Sequence, residues 1–130
     1  MTWLSRQHDQ DYDGYPGIEL GKAQNMMDKP LTITNDIYDI ESDASVLGIK
    51  PGDQITLSNG MTGMMLVSGC DAAVAVAETV TPTESDFVAK MNEKAAALGA
   101  SHTHFANPHG LPDTNHYSTA RDMAVIAAMA

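Results

Sequence analysis

Twelve residues, Val67 to Glu78, limit what this chain can become more than any other stretch. Ser68-Gly69 is a break, because Ser, Gly and Asp loosen the helical backbone or compete for its hydrogen bonds. From Ala72 onward strong helix formers and apolar residues dominate, which predicts a buried helix over Asp71–Thr79 that ends before Pro82. The turn also presents a hydroxyl (Ser68), a thiol (Cys70) and a carboxylate (Asp71) within four residues. A hydroxyl fixed at a helix start faces unsatisfied N–H groups and a positive dipole end, which suits the handling of a carboxylate or an oxyanion. The plainer reading of the same residues is an N-cap on a buried helix.

Punctuation along the rest of the chain sets the other elements. Leu31-Thr32-Ile33-Thr34 and Gln54-Ile55-Thr56-Leu57 alternate and predict a short antiparallel pair of strands. Such a pair is marginal unless helices cover it. Asn35 to Ser45 is acidic and reads as a surface loop, and Lys50-Pro51-Gly52-Asp53 suits a type II turn. Ser58 is placed to cap a helix running to about Val67, although Asn59-Gly60 is a turn signal inside it. Thr83-Glu84-Ser85-Asp86 is an approximate capping box. After it, Phe87, Met91, Ala95 and Leu98 share one apolar face, with Lys90, Glu93 and Lys94 outside it. Gly99 suits the left-handed position after that helix. His102 to Asn115 is a loop with two prolines, and Ser118 is placed to cap a last helix, Thr119–Met129.

The 130 residues can bury one core but not two. A formal net charge of −10, from 17 acidic and 7 basic residues, argues against nucleic acid or an anionic membrane as partner. One cysteine excludes an intramolecular disulfide. No apolar run has spanning length, and Met1 is not followed by a basic and then apolar export signal.

Val67-Ser68-Gly69-Cys70-Asp71-Ala72 closely resembles the second active-site motif, Ser-x-Asn, of the serine D-alanyl-D-alanine carboxypeptidases, the low-molecular-mass penicillin-binding proteins. The resemblance runs from about Leu31 to the C-terminus. It takes in Leu47-Gly48-Ile49-Lys50-Pro51-Gly52, Phe87, Met91-Asn92 and Leu98-Gly99. It continues through Thr103-His104-Phe105, Pro108-His109-Gly110-Leu111 and Tyr117-Ser118-Thr119-Ala120-Arg121-Asp122-Met123. It implies a mainly α chain with a short two-stranded β element: the helical subdomain of the α/β fold shared by DD-peptidases and serine β-lactamases. The intact family enzyme trims the terminal D-alanine of peptidoglycan stem peptides in the cell envelope, through an acyl-enzyme and without a cofactor. Penicillins and other β-lactams acylate the same nucleophile.

Residues 1–18 depart from this pattern. Gln7 to Tyr15 is polar, acidic and aperiodic, where the family has an apolar helix headed by Ser-x-x-Lys; no serine of this chain has Lys three residues later. Trp3 to Ile18 can be encoded so that the +1 frame reads Gly-Tyr-Pro-Ala-Ser-Thr-Thr-Lys-Ile-Met-Thr-Gly-Ile-Leu-Ala-Leu, which looks like that nucleophile segment. The expectation is a frameshifted, truncated gene: a poorly ordered leader over 1–18 and a partial carboxypeptidase domain over 19–130, inactive as it stands. The coding DNA across Trp3–Ile18 should therefore hold an open +1 frame with a Ser-Thr-Thr-Lys run, and sequencing that finds none removes the explanation. The rival class is a non-catalytic helical binding module derived from the same subdomain.

By the resemblance, Ser68 relays protons between nucleophile and leaving group, and Cys70 stands where the family's Asn holds the substrate amide. A thiol has one weak donor and a weak acceptor, so Cys70 cannot hold an amide as Asn does. Read from the residues alone, Cys70 is a small buried side chain rather than a reactive thiol, and Asp71 a helix-start acid rather than a general base. Neither nucleophile nor general base is present. His102, His104, His109 and His116 invite a zinc reading, but they fall where the resemblance has a structural loop, so no metal is expected. Thr103, His104, Phe105 and Asn107 are expected to lock that loop, and Arg121 with Asp122 to form an ion pair or cap.

Overall fold

A helix that is apolar on every side must be surrounded, and the Ala/Val run of the sequence meets that condition. The computed structural model describes residues 16–129. In it α3, Cys70–Val80, buries every residue except Glu78 and touches α1 (Pro16–Ala23), α2 (Leu57–Val67), α4 (Glu84–Ala97) and a 3₁₀ turn at Asn35–Tyr38. Small side chains let four neighbours approach one helix. α5, Ala120–Met129, closes the described chain, and its Ile126 reaches the core.

Packing explains the glycine of the Asn59-Gly60 turn signal inside α2, and Gly63 beyond it. A Cβ on Gly60 would lie 2.5 Å from Leu31 Cδ1, and one on Gly63 would lie 2.7 Å from Leu47 Cδ2. Both glycines thus trade helix propensity for close packing of a leucine onto α2.

The two-stranded element is smaller than the alternation suggests. Leu31 N–H donates to Ile55 O (2.7 Å) and Leu57 N–H to Lys29 O (2.8 Å), which makes a single antiparallel bridge at Pro30–Thr56. Pro30 offers no N–H, and the N–H of Thr32 goes to Thr79 Oγ1 on α3 (2.8 Å) rather than across to a partner strand. Leu57 already belongs to α2. The cap of α2 is Thr56, whose Oγ1 accepts from Asn59 N–H (3.2 Å), and not Ser58. At α5 the cap is likewise displaced by one: Thr119 Oγ1 accepts from Asp122 N–H (3.1 Å), while Ser118 Oγ pairs with Thr103 Oγ1 (2.9 Å). The Thr83 cap is as expected, with its Oγ1 accepting from Asp86 N–H (3.1 Å).

The expected leader falls on residues 1–15, outside the described residues, except for Pro16–Ile18. Those three open α1, where proline fits the first helical position and Ile18 packs on the core.

Carboxylates crowd where the 3₁₀ turn meets α3 and α4. Glu78 Oε2 accepts from Thr34 Oγ1 (2.7 Å), and Asp36 N–H donates to the same hydroxyl (3.2 Å). Burial pushes the Glu78 carboxyl above its ordinary value; the Thr34 bond opposes this, and Asp36 and Glu84 add to it. Burial also raises Glu84, helped by Asp36 and Asp39. A carboxyl raised in the folded state binds its proton more tightly there. The stabilisation is complete below the ordinary carboxylate pKa and disappears as pH rises through the raised value. Glu78→Gln should therefore increase the urea midpoint at pH 7 and flatten its fall between pH 4 and 7. A midpoint that drops at pH 7 contradicts the sign.

Candidate functional site

α2 and α3 are joined by Ser68 and Gly69 alone, so the chain must turn sharply. Ser68 does so in the left-handed region, φ 54° and ψ 42°. Gly69 N–H reaches back to Met64 O (3.1 Å), which completes a helix-ending motif whose left-handed position is normally glycine. Gly69 then starts α3, its carbonyl accepting from Ala73 N–H (3.1 Å).

The corner sorts the three chemistry-bearing side chains. Ser68 is exposed, beside exposed Val67 and Leu66, whereas Cys70 and Asp71 point inward and are 5% and 3% exposed. Cys70 Sγ sits 3.9 Å from Ser68 O, and its N–H donates to Ser45 O (2.8 Å). Burial, then the Asp71 charge, pushes the Cys70 thiol up, so it stays a thiol and not a nucleophilic thiolate. The Asp71 carboxylate accepts four backbone N–H groups: Leu47 (2.7 Å), Gly48 (2.8 Å), Ile49 (3.1 Å) and Ala72 (2.8 Å). An acid at a helix start was legible in the sequence. Its grip on a loop more than twenty residues earlier was not, because no local pattern ties Asp71 to Leu47-Gly48-Ile49.

A left-handed L-residue costs about 1–2 kcal/mol, and glycine loses about 0.5–1 kcal/mol more entropy on folding. Ser68→Gly should thus stabilise the chain by about 0.5–1 kcal/mol, read from the urea midpoint. A lower midpoint would show that Ser68 is not strained.

The four histidines serve the 102–117 loop individually. His104 Nδ1 meets Asn115 O (2.5 Å) and its ring stacks on Tyr117 (5.8 Å between centroids). His116 Nδ1 accepts from Ala106 N–H (3.1 Å), His109 Nδ1 from Leu111 N–H (3.3 Å), and His102 Nδ1 lies 3.2 Å from Ser101 Oγ. Burial, reinforced by His116, lowers His109 and keeps its acceptor nitrogen free of a proton. Among the described residues no group of three or more His, Cys, Asp or Glu could hold a metal ion.

Other bonds lock the loop. His104 and Tyr117 exchange backbone bonds (2.9 and 3.0 Å), and Asn92 clasps Phe105 through Nδ2 to O (2.9 Å) and N–H to Oδ1 (2.7 Å). Asn107 Oδ1 accepts from Gly110 N–H (2.6 Å). Asp122, fully buried, does not pair with the exposed Arg121; its Oδ2 accepts from His102 N–H (2.8 Å) and Thr103 Oγ1 (2.8 Å).

The model of the family described as D-alanyl-D-alanine carboxypeptidase matches residues 19–130. The D-alanyl-D-alanine carboxypeptidase DacF of Bacillus subtilis is 45% identical over 83 residues, 64% of this chain and 21% of its own length. DacB2 of Mycobacterium tuberculosis, a D-alanyl-D-alanine carboxypeptidase, is 41% identical over 112 residues, 83% of this chain and 38% of its own. The crystal structure of the carboxypeptidase DacD from Francisella tularensis superposes with a TM-score of 0.80 at 38% identity, over 89% of this chain and 28% of that one. Penicillin binding protein 5 from Haemophilus influenzae gives 0.78 at 34% identity, over 86% and 33%. The chain spans 21% of the first of these curated relatives and 38% of the second.

Proposed function

The chain belongs to the D-alanyl-D-alanine carboxypeptidase family, and from that premise we propose that Ser68 is the proton-relaying hydroxyl of a serine-type enzyme that trims peptidoglycan stem peptides. The observation that carries this reading is the corner itself: of Ser68, Cys70 and Asp71, only Ser68 is exposed, and it is held at a two-residue turn between rigid helices. A hydroxyl both donates and accepts, so it can pass a proton to a leaving amine and take one from a nucleophile. Neither Cys70 nor Asp71 competes for that role: the thiol is buried and raised, and the carboxylate is filled by four N–H groups.

The reaction proceeds through an acyl-enzyme on a serine activated by lysine, the pair that residues 1–130 do not contain. The substrates are stem peptides ending in D-alanine, β-lactams are the inhibitors, and the site of action is the cell envelope. A non-catalytic binding module is not favoured, since the relatives matched across this chain are carboxypeptidases.

The test is a chimera: residues 19–130 replace the matching segment of the Mycobacterium tuberculosis relative, and release of D-alanine from a D-Ala-D-Ala peptide is followed. With Cys70→Asn the chimera should turn over, and Ser68→Ala in that background should lower kcat by about 10²–10⁴-fold. A folded, active chimera indifferent to Ser68→Ala refutes the assignment.

A further inference from the structure

We propose that Asp71 is the positioning residue of the Ser68 turn: its carboxylate, closed on the Leu47–Ile49 backbone, makes the wall that keeps Ser68 left-handed and facing outward. The inference rests on the reading of Ser68 as the relay hydroxyl. Asp71 Oδ1 accepts from Leu47 and Ala72, and Oδ2 from Gly48 and Ile49, so the acceptor positions of both oxygens are used. Gly48, at φ +83°, lets three successive N–H groups converge on one carboxylate.

The loop so fixed lies directly against the turn. Ser45 O takes the Cys70 N–H (2.8 Å). A Cβ on Gly69 would stand 3.1 Å from Leu47 N and 3.2 Å from Asp71 Oδ1, so Gly69 is boxed between the loop backbone and the carboxylate that holds it. A strained residue persists only where its surroundings over-determine it. At Ser68 those surroundings are the ends of two helices and this wall, and Asp71 is the group common to the wall and to α3.

The experiment is NMR on the labelled chain. The Ser68 Cα and Cβ shifts and its HN–Hα coupling report φ at that residue, and amide exchange reports the loop. Asp71→Asn keeps the shape but turns one oxygen into an NH₂ facing N–H donors. Exchange at Leu47, Gly48 and Ile49 should rise at least about tenfold, and Ser68 should leave its left-handed signature. Asp122→Asn, which alters an equally buried carboxylate on α5, should leave the Ser68 signals in place. The proposal fails if Asp71→Asn frees the loop while Ser68 stays left-handed, or if Asp122→Asn moves Ser68 as far. Should Asp71→Asn not fold, native-state exchange of the unaltered chain decides. Gly69 and Cys70 amides should open together with those of Leu47–Ile49, and independent opening overturns the idea. These readouts do not involve turnover, so a silent Ser68→Ala in the chimera would remove the relay role and leave them standing.

Discussion

Incubated with a fluorescent penicillin, the 130-residue chain should acquire no covalent label. Acylation requires a hydroxyl with a close base to take its proton and N–H donors aimed at the developing oxyanion. In the family the base is a lysine one helical turn after the nucleophile, and no serine here has that neighbour. Ser68 is exposed but has no lysine near it in sequence. The next one downstream, Lys90, lies on α4 and pairs with Glu93 (3.2 Å), while Lys94 pairs with Glu19 (3.0 Å). Cys70 is no substitute, because its thiol is buried and raised. Losing one member of such a constellation costs roughly 10⁴- to 10⁶-fold in rate, and here nucleophile and base are missing together. Denaturing electrophoresis or intact mass should show unlabelled protein. A stoichiometric adduct abolished by Ser68→Ala would make Ser68 a nucleophile in its own right and overturn this account.

What could be read from the residues was what local rules determine. The Ala/Val run of α3, the Thr83 cap and the Phe87-Met91-Ala95 face each follow from period or capping within one element, and each is found. What escaped were choices between near-equivalent local options that tertiary contacts decide. Thr56 and Ser58 are both competent caps, and Leu57 N–H bonding to Lys29 O makes the helix start at the earlier one. Thr32 could have extended a strand, but Thr79 Oγ1 on α3 takes its N–H. At the site, Ser68 was legible as a turn hydroxyl but not as the end of α2. It closes that helix in the left-handed region, and Gly69, with no side chain to offer, stands at the N-cap of α3 where the sequence suggested a hydroxyl cap. The burial of Cys70 was legible as well, whereas the closure of Asp71 on Leu47-Gly48-Ile49 required two segments to meet, which one sequence does not display.

Phe87→Ala should remove a large share of the chain's stability. Phe87 is fully buried one turn into α4, where its N–H donates to Thr83 O (3.2 Å), and Met91 and Ala95 extend the same face. That face packs on α3, whose alanines make room for large side chains opposite them. Truncating a buried Phe to Ala costs about 3–5 kcal/mol, because the backbone on both sides is helical and collapses only partly into the cavity. Domains of this size are stable by about 5–15 kcal/mol, so that loss is a large share of the whole. Phe87→Leu keeps most of the volume and should cost less than about 1.5 kcal/mol. Outside that face on the same helix, Lys90 and Glu93 are 52% and 71% exposed in their side chains. Lys90→Ala should stay within about 0.5 kcal/mol of the parent, since an exposed pair gains little over solvated charges. Urea unfolding of the three variants checks the order. If Phe87→Ala costs no more than Lys90→Ala, the face of α4 is not part of the core, and the packing of four elements around α3 is wrong.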